Sequence, residues 1–172
     1  QKDGFSYLRC DDSDHNIVYF QGDPQDHTIG LSLDTFEELD AAESKLEALG
    51  RPVYRGTDSE AEARRCMGYI NFKDTSGNSI DLSVRPFASG TRYFPSRDAG
   101  ITEFSHIGLK VTDPREAEKF WSHEFNFKTS DWIGWSALMT FDQVHHRYAL
   151  FPSDKPGIQH INFQVAETDD VM

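Results

Sequence analysis

The sequence predicts an α+β fold assembled from repeated modules, each of one strand, one helix and three further strands. One strand motif recurs in Thr28-Ile29-Gly30-Leu31-Ser32-Leu33, in His106-Ile107-Gly108-Leu109-Lys110-Val111 and in His160-Ile161-Asn162-Phe163-Gln164-Val165. Such self-similarity marks a chain built from duplicated units. The first two copies run directly into helix-capping signals, and the helices that follow lead into short stretches rich in branched and aromatic residues.

Taken in order, the opening residues read as a strand, and Thr28 to Leu33 is the first copy of the motif. Asp34-Thr35-Phe36-Glu37 then places an aspartate cap before Phe36, Leu39, Ala42, Leu46 and Leu49 at helical spacing, closed by Gly50. Strands are expected from Cys66 to Lys73 and from Ser79 to Val84, around the turn Asp74-Thr75-Ser76-Gly77-Asn78. Arg85 to Gly100, with Pro86, Gly90 and Pro95, has no periodicity and reads as a linker. The second copy precedes Asp113-Pro114-Arg115-Glu116, a cap with proline at the first helical position, and an apolar stripe of Ala117, Phe120, Trp121 and Phe125. Ser136 to Phe141 and His146 to Phe151 form a second strand pair. The third copy ends in a capping signal, Thr168-Asp169-Asp170-Val171. The stretches 7–17 and 137–147 also align without gaps, placing Asn16 on His146. The expected organisation is the later part of one domain (1–86), a linker (87–100) and the first part of a duplicate (101–172), truncated at both ends.

With 29 acidic against 17 basic residues the net charge is −12, which repels phosphate backbones and anionic membrane surfaces. Nucleic acid and membranes are therefore excluded as expected partners. Cys10 and Cys66 lack metal or redox spacing and read as reduced strand residues of a cytoplasmic protein.

In the repeated strand, alternation sets Ile107, Leu109 and Val111 on one side and His106, Gly108 and Lys110 on the other. Histidines on the polar face of two equivalent strands suit a metal site, and the imidazoles of His106 and His160 are expected within about 3 Å of each other or on one shared ion. The first copy has Thr28 in the histidine position. His145 and His146 end a hairpin, where the plain reading is exposure to water. By alternation Gly108, Tyr148 and Asn162 share faces with His106, His146 and His160 and are the expected cavity wall, whereas Arg147 is turned away. Trp132, Trp135 and Phe141 are read as core, and His15, His27 and His123 as surface residues.

The segments Ser105-His106-Ile107-Gly108-Leu109, Val144-His145-His146-Arg147-Tyr148-Ala149-Leu150 and His160, with Ser130 to Ala137 before them, resemble the type I extradiol ring-cleavage dioxygenases of the vicinal oxygen chelate superfamily. The resemblance covers nearly the whole chain and is most specific from Phe104 onward. It implies paired βαβββ modules of the glyoxalase, bleomycin-resistance and dioxygenase type, with the metal in the second domain. His106 and His160 match the two histidine ligands of a non-haem Fe(II), with Mn(II) as an alternative, and His146 matches the acid and base. The third ligand, a glutamate, and a catalytic tyrosine are expected beyond Met172. Asp81 holds the glutamate's place in the first half. The implied reaction is extradiol cleavage of a catechol by dioxygen, by a homo-oligomer. A metal-dependent isomerase and a metal-free binding module use the same modules; the paired histidines and the two ligand positions argue against them.

Overall fold

The computed structural model describes residues 4–94 and 100–171, so Pro95 of the expected linker and Met172 lie outside the described residues. A hairpin of β1 (Phe5–Leu8) and β2 (Ile17–Phe20) precedes β3 (Thr28–Leu33), α1 (Phe36–Ala48), β4 (Val53–Arg55), α2 (Asp58–Ala63), β5 (Gly68–Lys73) and β6 (Ser79–Val84). The second half runs β7 (Ile101–Val111), α3 (Pro114–Phe125), β8 (Lys128–Ile133), β9 (Ser136–Thr140), β10 (Tyr148–Pro152) and β11 (Gly157–Val165), then one 3-10 turn, Thr168–Val171.

The duplication is visible in the sheets. One has the order β3-β6-β5-β4 and the other β11-β7-β10-β9-β8, so that without β11 both follow first, fourth, third, second strand of a module. In each, the motif strand pairs in parallel with the last strand, β3 with β6 and β7 with β10, while the remaining pairs are antiparallel. The third motif copy, β11, adds antiparallel to β7 and forms the edge of this sheet among the described residues.

Helix α1 starts one residue later than the sequence suggests. Thr35, not Asp34, is the cap: its hydroxyl accepts the Glu38 N–H, while the Glu38 carboxylate accepts the Thr35 and Asp34 N–H groups. Helix α3 begins as expected, with the Asp113 carboxylate accepting from Arg115 and Glu116 ahead of Pro114, and it ends on Asn126 in the left-handed conformation (φ 58°). Strand β4 and the short helix α2 have no strong sequence signal. α2 is held by its own capping box of Thr57 and Glu60.

The helix-facing sides of the two modules share one core. Ile29, Leu39, Leu46, Ile80 and Leu82 belong to the same buried cluster as Leu109, Val111, Trp121, Met139 and Leu150. Phe72 of β5 stacks on Phe125 of α3, with ring centroids 5.7 Å apart and planes 12° from parallel. Lys45 donates to the last carbonyls of α3, at 2.8 Å from Glu124 and 3.3 Å from His123, where the helix end is partially negative. Asn78, fully buried, donates to the Lys110 carbonyl at 3.1 Å and accepts the Gly157 N–H at 2.8 Å, tying the first module to β7 and β11.

Cys10 and Cys66 are buried free thiols in bends just outside the strands, not within them as expected. Trp132 packs against the core under the Arg115 guanidinium, 3.7 Å from the ring centre, but Trp135 (76% exposed) and Phe141 (52%) stand in solvent because each lies where a hairpin turns. No helix among the described residues is long and apolar enough to cross a membrane.

Candidate metal centre

The three histidines singled out by sequence converge on the side of the β7 sheet opposite α3. His106 lies within β7, where its neighbours Ile107 and Leu109 point into the core. Register places Asn162 of β11 opposite His106 and His160 opposite Gly108, so all four share one face. A β-bulge makes this possible. Ile158 pairs with Leu109 and His160 with Gly108, leaving Gln159 as an extra residue on β11. In a regular ladder with Gln159 paired, strict alternation from Ile158 would turn His160 toward the helix side; the bulge re-aims it.

The Nε2 atoms of His106 and His160 are 2.8 Å apart. His146 packs against His106, with ring centroids 4.3 Å apart and planes tilted by 46°. Burial pushes the His106 imidazole down to about 4, with the His146 and His160 rings adding to the shift. His146 is lowered as well, by burial first and then by His145 and His160. Both rings are therefore neutral near pH 7, the form in which imidazole offers a lone pair to a metal or takes up a proton.

The His160 ring lies flat over Gly108. A Cβ there would sit 2.6 Å from His160 Cε1 and 2.7 Å from Nδ1, so only glycine leaves room. Phe151 of β10 closes the other side, its ring edge-on to His160 at 5.5 Å, and the Gln159 amide oxygen accepts from His160 Nδ1. That contact holds the proton on Nδ1 and leaves Nε2 free, as support of a ligand histidine requires. Phe151 and Gln159 were not legible as site residues, since one looks like a core strand aromatic and the other gains its place only through the bulge.

Tyr148 does not line this face. It pairs with Ile107 on the helix side and is buried against Trp121 and Phe127, its hydroxyl without a hydrogen-bond partner among the described residues; burial and then Asp74 raise its pKa. The expectation failed because His146 lies in the loop before β10, so alternation counted from it does not carry into the strand. Ala149, opposite Gly108, and Phe151 take the cavity-facing positions instead. His145 is exposed and pairs with His146, Nδ1 to Nδ1 at 3.0 Å.

The first module has the same strands without the chemistry. Gly30, the counterpart of Gly108, has nothing within 4 Å of its Cβ position. Thr28 donates to Ser79 (3.2 Å), and Asn16 caps its own loop through the Cys10 N–H (2.8 Å) and Asp11 (2.7 Å). Asp81 is buried between Arg64 and Asn71, each at 2.7 Å, so the cation it faces is a guanidinium of this chain. His15 pairs with Asp14, and His27 bonds Gln25 and Asn78.

The donors present fit a first-row divalent metal. Two imidazoles whose Nε2 atoms are 2.8 Å apart suit neighbouring positions on one ion, at metal to nitrogen bonds of about 2.0–2.2 Å. The same spacing suits an N–H···N bond between the two rings in the metal-free chain. No group of three or more histidine, cysteine, aspartate or glutamate side chains able to hold a metal occurs among the described residues, so the arrangement supplies part of a ligand set.

No family model matches the chain. An iron-dependent extradiol dioxygenase of Rhodococcus jostii (strain RHA1) is 26% identical over 96% of this chain and 62% of its own length. A 1,2-dihydroxynaphthalene dioxygenase of Sphingobium xenophagum is 27% identical over 96% and 61%. The crystal structure of BphC, a halotolerant catechol dioxygenase, superposes with a TM-score of 0.88 at 27% identity, covering 99% of this chain and 61% of that one. The chain is similar to extradiol dioxygenases along nearly its whole length. It has the fold of the vicinal oxygen chelate superfamily, shared with a Mn(II)-bound glyoxalase from Novosphingobium aromaticivorans (TM-score 0.83, 21% identity), whose likeness concerns the fold alone. The chain spans about three fifths of the length of these curated relatives.

Proposed function

We propose that the chain is the metal-binding portion of an extradiol dioxygenase that opens a catecholic ring beside its vicinal hydroxyls, adding both atoms of dioxygen. The observation that carries this reading is the convergence of His106 and His160 through Nε2, with His146 packed against His106 on a face walled by Gly108, Ala149, Phe151 and Asn162. His106 and His160 would hold Fe(II), or Mn(II), together with a carboxylate outside this chain. The bound ion supplies a Lewis-acidic centre with open positions for catecholate and dioxygen. The chain's own work is to bind and orient. His106 and His160 set the coordinating nitrogens, Phe151 excludes water beside them, and His146 accepts a proton from a catechol hydroxyl at Nε2 and returns it later to oxygen. Neutrality of His146 at pH 7 prepares it for the first of these transfers. In this reading, 1–86 and 101–172 are parts of two domains of a cytoplasmic homo-oligomer.

The test is metal analysis and oxygen uptake on the intact protein with catechol, 2,3-dihydroxybiphenyl and 1,2-dihydroxynaphthalene. One dioxygen consumed per ring opened is expected. His106→Ala and His160→Ala should lose the metal. His146→Ala should keep it while turnover falls by about 10²–10⁴, the usual size of a lost proton-transfer group. Metal retained with no oxygen uptake on any catechol would reject ring cleavage, and metal lost equally from His146→Ala would make that residue a ligand.

A further inference from the structure

We propose that Arg147 is a positioning residue that seats the His146 imidazole against His106, an inference that rests on reading His146 as the acid and base. Among the described residues the His146 side chain hydrogen-bonds only to the exposed His145, so its own hydrogen bonding does not place it over His106. Its position is set by the main chain, and the residue next to it is the anchor. The Arg147 backbone is stitched to both neighbouring strands, donating to the Met139 carbonyl at 2.9 Å and accepting the Ile107 N–H at 3.1 Å.

The guanidinium extends this clamp. Nε donates to Asp142 Oδ2 at 2.8 Å, and Nη1 donates to Glu103 Oε1 at 2.8 Å and to the Ser105 carbonyl at 3.0 Å. Asp142 lies at the start of the loop that carries His145 and His146. Glu103 and Ser105 lie on β7, immediately before His106. One side chain, 19% exposed, thus fastens the two ends of that loop to the strand carrying the neighbouring histidine. Asp142 is itself rigidly held, accepting the Val144 N–H at 2.9 Å and the Thr140 hydroxyl at 3.1 Å. A planar fork can serve two carboxylates and a carbonyl at once; an ammonium is a point charge and cannot keep all three directions. Without the guanidinium, the Glu103 and Asp142 carboxylates would face each other unneutralised across the base of the loop.

The experiment uses the intact protein with Arg147→Met, Arg147→Lys, Asp142→Asn and His146→Ala. It reads metal content, kcat and KM, and the rate at which diethyl pyrocarbonate modifies His146 in metal-free protein, followed by peptide mass spectrometry. Arg147→Met should retain the metal and an unchanged KM while kcat falls about 10²-fold, the scale of an ångström-sized misplacement of a reacting group. Its His146 should be modified faster, and Arg147→Lys should recover part of both losses. Asp142→Asn breaks the same clamp with minimal change of shape and should reproduce the effect if Arg147→Met does not fold. Unchanged modification of His146 in folded Arg147→Met or Asp142→Asn overturns the proposal. Full turnover in His146→Ala overturns the acid and base reading instead, and the modification rates still decide whether Arg147 positions the ring.

Discussion

At the scale of single residues, the site depends on a missing atom as much as on the histidines. Gly108 is conformationally ordinary, but the His160 ring occupies the space its Cβ would need. Gly108→Ala should therefore weaken metal binding by about 10- to 100-fold, the size expected when support of a ligand histidine is lost, while the strand itself persists. Gly30→Ala in the first module is the internal control, because its Cβ would meet nothing within 4 Å. Competition with a chelator measures both, and equal affinities in the two variants would refute the packing argument. His106 and His160 were legible because the motif repeats, and His146 only through the resemblance of its hairpin to the extradiol dioxygenases. The role expected of Tyr148 was not, because alternation was counted through a loop.

At the scale of elements, a bulge decides which way a ligand points. Deleting Gln159 should close the ladder into regular pairing that still sets His160 opposite Gly108, whereas Gln159→Leu keeps the extra residue; both lose the contact to Nδ1. Metal stoichiometry should survive in both variants, because each leaves His160 on the Gly108 face; metal lost from the deletion alone would show that the bulge itself is needed to aim the ring. Helix α1 offers a simpler test. Thr35→Ala removes the acceptor for the Glu38 N–H and should cost about 1 kcal/mol in chemical denaturation, and Asp34→Ala should cost less, since the cap is Thr35.

At the scale of the whole molecule, stability rests on the joint between modules and on a few carboxylates. Asn78→Ala would leave the Gly157 N–H and Lys110 carbonyl without their partner and should cost about 1–3 kcal/mol, the usual penalty for unmet buried polar groups. The carboxyls of Asp11, Asp14 and Asp142 are all held below the usual carboxylate range. Burial opposes the shift in each; it is outweighed by Ser13 and Asn16 at Asp11, by Arg65 and His15 at Asp14, and by the Val144 N–H and Arg147 at Asp142. A folded-state pKa below the unfolded value of about 3.9 adds stability above that pH and loses it as pH falls through the folded value. Stability should thus decline on acidification below pH 4, and more shallowly in Asp142→Asn; identical acid profiles would exclude a contribution from Asp142.

The repeated strand motif, the helix caps and the polar-face histidines are local patterns, so the sequence by itself determined the modular α+β fold, the starts of α1 (to within one residue) and α3, and the three histidines of the candidate site. What only the tertiary structure decided depends on pairing between distant segments. The one-residue bulge at Gln159, the ring of His160 over Gly108, the wall formed by Phe151 and the Arg147 clamp all arise where β11 or the His146 loop meets β7. Period-two alternation predicts a face only while the strand is regular. A bulge or a loop resets it, and strand register is a property of two segments together, which the order of residues in either one does not contain.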